Sequence, residues 1–163
     1  DVPKINEITA QVESLFSTKE AIETTAIKDI RQFYTFHGGK YVLGEELTGK
    51  QKIANLYGGE PLDADATVLL EEINAEDNNS ILRYWLTVDP KQATDATFEY
   101  LSKLAKATGV PALKREDLPQ MTIEDRTAAR IHGPSGWPIY SIVTREVKTE
   151  GVMSVEERII EIE

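Results

Sequence analysis

Two β-rich runs stand in the middle of the chain, ADATVLLEEI at 64–73 and SILRYWLTV at 80–88, with the turn-forming stretch NAEDNN between them. Valine, isoleucine, threonine and aromatic side chains fit a pleated surface, while Asn and Asp favour the tight backbone of a turn. The pair predicts an antiparallel hairpin. In the second run Leu82, Tyr84, Leu86 and Val88 share one face, and Ile81, Arg83, Trp85 and Thr87 share the other. One face is apolar and the other amphipathic. A lone hairpin is marginal in water, so the apolar face demands more strands or a helix to cover it.

The sequence around the hairpin supplies both. Asp89-Pro90 opens a helix, and ATDATFEYLSKLAKATG at 93–109 carries Thr94, Thr97, Leu101, Leu104 and Thr108 along one stripe, flanked by Phe98 and Ala105. Lys103 and Lys106 complement the dipole near its end, Gly109 provides a left-handed stop, and Pro111 follows. TIEDRTAARIHG at 122–133 reads as a second, short helix ended by glycine. GPSGWP at 133–138 is a rigid loop feeding a strand, IYSIVTREV at 139–147, which a turn at KTEG ends. The tail, 153–163, carries a capping box at Ser154 and Glu157 but also the alternation IIEIE, and is read as a strand.

The first 36 residues read as helical. Ile5, Ile8, Val12 and Leu15 form a narrow apolar stripe close to a coiled-coil seam. STKE at 17–20 has the capping-box arrangement, and a second helix would carry Ile22, Ala26, Ile30 and Phe33. Thr24-Thr25 opposes that helix, and a competing reading makes TAIKDIRQFYTF a strand turned back through HGGK. The expected fold is α+β: a mainly antiparallel sheet with helices packed on one face and an N-terminal helical segment. The segment occupies 1–36 and the α+β domain 37–163, forming one compact domain overall.

The chain has 163 residues and a net charge of −10, with Lys and Arg scattered rather than clustered. That balance opposes non-specific adhesion to nucleic acid or to an anionic membrane, since counterion release needs a basic surface. It has no cysteine. Disulfides, thiolate metal centres and a cysteine nucleophile are therefore excluded. No window is long and apolar enough for a membrane helix, and no signal peptide is read at the start. No compartment follows from these totals.

Gly44-Glu45-Glu46-Leu47-Thr48-Gly49-Lys50 has the G-x-x-x-x-G-K spacing of the Walker A phosphate loop, which it resembles over these residues alone. Gln51 follows, where that motif places a hydroxyl for Mg²⁺. Glu45 and Glu46 stand where phosphates would lie. At ~5 Å and an effective dielectric of ~20, each carboxylate–phosphate pair is unfavourable by about 3 kcal/mol. The expectation is a glycine-punctuated loop with no nucleotide, and a P-loop-like protein ranks last among the functional readings.

Other chemical candidates fare no better. His37 and His132 each precede glycine and suit helix C-termini more simply than a metal centre. Ser135 in GPSGW does not meet G-x-S-x-G, because Gly136 follows it directly. Glu45-Glu46, Glu71-Glu72 and Glu156-Glu157 are sequence neighbours that a strand would point to opposite faces. No catalytic residue, cofactor or metal ligand is assigned. The expected function is a non-enzymatic interaction or assembly module, a subunit of a larger complex or a self-associating chain. Its contacts are placed at Ile5, Ile8, Val12 and Leu15 and at the loop aromatics Trp137 and Tyr140. The alternative is a single-stranded nucleic-acid binder on an OB-like barrel, stacking bases on Arg83, Tyr84 and Trp85.

Overall fold

A computed structural model describes residues 27–111 and 113–162, with the side chains of Lys28 and Asp29 excepted. The stripe at Ile5, Ile8, Val12 and Leu15 and the capping box at 17–20 lie outside these residues. A short helix α1 (Lys28–Phe33) leads into strands β1 (Glu46–Ile53), β2 (Leu62–Asn74) and β3 (Asn79–Val88). Helix α2 (Pro90–Thr108) follows, then β4 (Thr122–His132), β5 (Pro138–Thr149) and β6 (Val152–Glu161). The six strands form a single antiparallel sheet in the order β1-β2-β3-β4-β5-β6. Among the described residues this is an open meander, without the strand exchange of an OB barrel.

The expected hairpin is present as β2 and β3, with a bulge that leaves Glu71 unpaired between Leu70 and Glu72. Its turn is built by Asn74, whose Oδ1 accepts the N–H groups of Glu76 and Asp77, each at 3.0 Å. Asn78 takes the left-handed conformation (φ 50°) that asparagine tolerates. Register carries the hairpin's face assignment across the whole sheet. Ala64, Ala66, Val68 and Leu70 lie opposite Val88, Leu86, Tyr84 and Leu82, and these continue into Asp125, Thr127 and Ala129 of β4. Every fully buried strand side chain lies on this face: Ala64, Leu70, Leu82, Leu86, Val88, Thr127, Ala129, Pro138 and Ser141.

Two clusters divide that face. Phe36, just beyond α1, packs with Leu70, Leu82 and Ala129. Ala93 of α2 packs with Ala64, Leu86 and Val88. Tyr84 borders both. Helix α2 starts where the sequence places it: the Asp89 carboxylate caps the Gln92 N–H at 2.8 Å, and Gly109 closes the other end at φ 69°. Thr94 is fully buried yet satisfied, donating to the Pro90 carbonyl at 2.5 Å and accepting the Met121 N–H at 2.9 Å.

The molecule is more sheet and less helix than the α+β expectation. Residues 122–132 are strand β4, not a helix, and Gly133 begins the turn after it. Ile123, Asp125, Thr127, Ala129 and Ile131 alternate onto the core face, and ladders to β3 and β5 on both sides override the helix-favouring Ala128 and Ala129. Residues 46–53, which take in most of the expected glycine-punctuated loop, are strand β1 at one edge of the described sheet. Of the stripe expected around α1, Ile22 and Ala26 lie outside the described residues, Phe33 is buried and Ile30 is exposed. HGGK does not join two strands; the chain turns through 34–38 and enters the sheet only at β1, apart from a single bridge between Leu43 and Leu70.

Candidate contact surface at the Trp137 loop

Strands β4 and β5 are joined by GPSGW, a loop held by hydrogen bonds from the N–H groups of Gly133, Gly136 and Trp137 and to the Trp137 carbonyl. The His132 N–H donates to the Trp137 carbonyl at 2.8 Å, and the Gly136 N–H donates to the His132 carbonyl at 2.8 Å. The Gly133 N–H donates to the Asn78 carbonyl of the β2–β3 turn at 2.7 Å. A side chain at Gly133 would bring its Cβ to 3.0 Å from that carbonyl oxygen, so glycine is what lets the two turns touch. His132 Nδ1 and the Ser135 hydroxyl lie 2.7 Å apart, and the same hydroxyl accepts the Trp137 N–H at 3.3 Å. Both bonds form together when Ser135 donates to Nδ1. This histidine and serine brace a loop; they are the pair that would have suggested a nucleophile and base, and among the described residues no carboxylate orients the ring.

The loop presents Trp137, half exposed at 51 %. Its ring meets Tyr34 edge-on, with centroids 5.7 Å apart. Tyr34 in turn meets His37 at 5.7 Å and Phe33 at 5.9 Å, both edge-on. Such geometry is the favourable one for aromatic quadrupoles. The FHGGK turn and the IHGPSG loop, whose histidines stand 95 positions apart in the sequence, are thus brought to one end of the sheet. Behind the aromatic string a groove of about 210 Å³ runs between the 36–41 turn and Pro138, floored by Leu70, Leu82 and Ile131. Tyr41 closes its side, donating to the Phe36 carbonyl at 3.1 Å, and burial raises its phenol pKa.

Tyr140 is not part of this patch. It pairs with Arg130 on the opposite face of the sheet. The expected stacking trio is also divided. Arg83 and Trp85 share that opposite face, but Tyr84 points into the core, and the Gln51 amide donates to its hydroxyl. Burial raises the Tyr84 pKa, partly offset by that hydrogen bond. Arg83 is bound to Glu71 at 2.6 Å, and Arg126, cross-strand from Trp85, reaches Glu124 at 3.1 Å and Glu146 at 3.4 Å.

Residues 44–50 do not form a phosphate cradle. Gly44 turns the chain, and Glu46 to Lys50 enter β1, where the amides alternate along a strand instead of converging. The Lys50 ammonium is joined to Asp65 at 2.8 Å, which raises its pKa. Among the described residues no three His, Asp or Glu side chains gather as a metal site.

One polar constellation escaped the sequence. On the core face, between α1 and the sheet, Arg145 makes two bonds to the Asp125 carboxylate, at 2.7 and 2.6 Å. Glu156 and Arg158 of β6 line the same cleft with Gln32 and Thr35. Finding it required the β4–β5 register, which the helical reading of 122–133 concealed. Comparison of the chain with protein-family models, with curated proteins and with solved structures finds no match.

Proposed function

We propose that this chain is a non-enzymatic binding module that contacts another protein through the Trp137 loop. The observation that carries the reading is the combination of a half-exposed indole with a hydrogen-bonded loop that holds it. A rigid exposed aromatic loses little conformational entropy on binding and offers a large area to a partner pocket, the usual chemistry of an interface anchor. Tyr34 and His37 extend the anchor into a patch. The test compares affinity capture by the wild-type chain and by Trp137→Ala, with proteins identified by mass spectrometry. Trp137→Ala is expected to fold with a change in stability within about 0.5 kcal/mol, as for an exposed side chain. Its partner should be lost, because hot-spot truncation costs about 2 kcal/mol or more. Equal capture of every protein by both chains would end this reading.

The nucleic-acid reading keeps one supporting observation: Arg83, Trp85, Arg126 and Arg130 share the face on which no strand side chain is fully buried. Three of these four lie beside acids or a ring, and Arg83 and Arg126 are already ion-paired, which lowers the local positive potential that a phosphate chain needs. Fluorescence anisotropy of a labelled single-stranded oligonucleotide at low salt separates the two. Binding that weakens with salt and with Trp85→Ala would favour nucleic acid over protein.

A further inference from the structure

We propose that β6 is a dimerisation edge, through which two copies of this chain join their sheets by antiparallel β6–β6 pairing about a two-fold axis at Glu157. The proposal is independent of the Trp137 loop.

Among the described residues β6 pairs only with β5, so its far side is an edge of the described sheet. Such an edge is a template for another strand unless it is blunted by unpaired charges, lysine above all, by proline or by a bulge. The strand VMSVEERIIE has no proline, glycine or lysine, and its ladder with β5 runs without a bulge. Val152, Met153, Val155 and Ile159 are 66, 62, 52 and 52 % exposed. The other edge, β1, is guarded: Gly49 weakens it, and Lys50 and Lys52 stand on it, paired to Asp65 and Asp63.

The backbone phase can be read. The Ile162 N–H donates to the Ile139 carbonyl of β5 at 3.0 Å. Hydrogen-bonding direction alternates along an antiparallel strand, so even-numbered residues of β6 bond inward. The N–H and C=O groups of Met153, Val155, Glu157, Ile159 and Glu161 therefore point away from β5. A two-fold axis perpendicular to the sheet keeps each face on its own side, so the opposed residues must share a face.

Among such registers the one centred on Glu157 is complementary to itself. It sets Val155 opposite Ile159 of the second copy, Glu156 opposite Arg158, and Ser154 opposite Ile160, each contact occurring twice. Centring on Glu156 or on Arg158 instead sets those charges against themselves and places Val155 opposite an acid. Within one chain Glu156 and Arg158 are already 3.1 Å apart, so the second copy extends this ion pair across the axis. The cost is Glu157 facing itself, a like-charge contact that opposes pairing.

That cost makes the register testable. Light scattering coupled to gel filtration should give the mass of two chains at micromolar concentration. Glu157→Gln is expected to tighten the dimer about two- to fivefold by removing the like-charge contact. Val155→Lys should weaken it roughly tenfold, since the change is felt twice, with the melting temperature of the monomer preserved. Cysteine is otherwise absent from the chain. Glu157→Cys should therefore cross-link to itself under mild oxidation, while Val155→Cys should cross-link only when mixed with Ile159→Cys. A monomer at all concentrations, a dimer indifferent to both Val155→Lys and Glu157→Gln, or self-cross-linking at 155 in place of 157 would overturn the proposal. So would a monomer whose Val155, Glu157 and Ile159 amides exchange slowly, because the edge would then be occupied from within the same chain.

Discussion

Arg145 lies directly across from Asp125 on neighbouring strands and grips its carboxylate through Nε and one terminal nitrogen, at 2.7 and 2.6 Å. The bond holds the guanidinium pKa up, with burial acting against it. The two side chains are only 30 and 15 % exposed, so removing one partner leaves the other largely cut off from water. Asp125→Ala is therefore expected to cost roughly 1–3 kcal/mol in urea unfolding, the range for a charge-assisted hydrogen bond. The double variant Asp125→Leu/Arg145→Met should recover most of that loss, since a semi-buried ion pair and an apolar pair of similar size are nearly equivalent.

Ser141 supplies the opposite case. It is fully buried on the core face, and its hydroxyl is the one buried side-chain polar atom among the described residues without a hydrogen-bond partner. Burying an unpaired hydroxyl costs about 1–3 kcal/mol in protein mutational series. Ser141→Ala should leave stability unchanged or raise it by about 1 kcal/mol, whereas a typical buried truncation lowers it. Thermal and urea unfolding of the purified variant decide the sign.

The ends of α2 make a third test. Asp89→Ala removes the acceptor for the Gln92 N–H and should cost about 1 kcal/mol. Gly109→Ala forces a side chain into the left-handed region, φ 69°, and should cost a similar amount, about 1 kcal/mol. Open space surrounds that position, so the loss would be one of backbone strain alone. Far-ultraviolet dichroism would show the helix retained in both variants below the unfolding transition.

Stability should fall at both extremes of pH. Asp63, Asp95 and Glu146 are held below the ordinary carboxylate range, by Lys52 and Gln92, by Lys91 and Arg115, and by Lys148 respectively. The folded state thus binds their protons less readily than the unfolded chain does. Their contribution is complete above about pH 4 and is lost as pH falls through the depressed values. Asp63 and Asp95 are well exposed, so their effect is small and weaker in high salt. Burial raises Tyr41 and Tyr84, whose contribution is complete below about pH 10 and is lost as pH rises through the raised values. Urea midpoints across the pH range should trace this dome.

The legible parts of this fold were those with local signals. Asn74 to Asn79 announced a turn, and the strict alternation of Leu82, Tyr84, Leu86 and Val88 assigned a core face that the sheet preserves. Asp89 and Gly109 marked both ends of α2. What escaped was decided by distant neighbours. Ala129 packs under Phe36 and Thr127 lies across from Tyr84, and a strand of Ala, Thr, Arg and Asp has no apolar run to declare it. The β1 segment is exposed along almost its whole length, so it carries no burial pattern at all. The candidate surface was half visible: Trp137 stood out in its loop, but only the folded chain sets Tyr34 and His37 beside it. Tyr84 was grouped with Arg83 and Trp85 although alternation alone sets it on the other face, while the side taken by Tyr140 followed only from its pairing with Arg130.

The order of the strands bears on how the molecule is made. Each strand finds its partner in the next or previous stretch of chain, and only the segment 89–121 separates two partners by more than a loop. Low contact order of this kind favours rapid folding. It also means that the sheet can grow strand by strand as the polypeptide leaves the ribosome, with β6 added last onto a template already in place. Truncation after Thr149 would then expose β5 as a new border while leaving the earlier ladders intact.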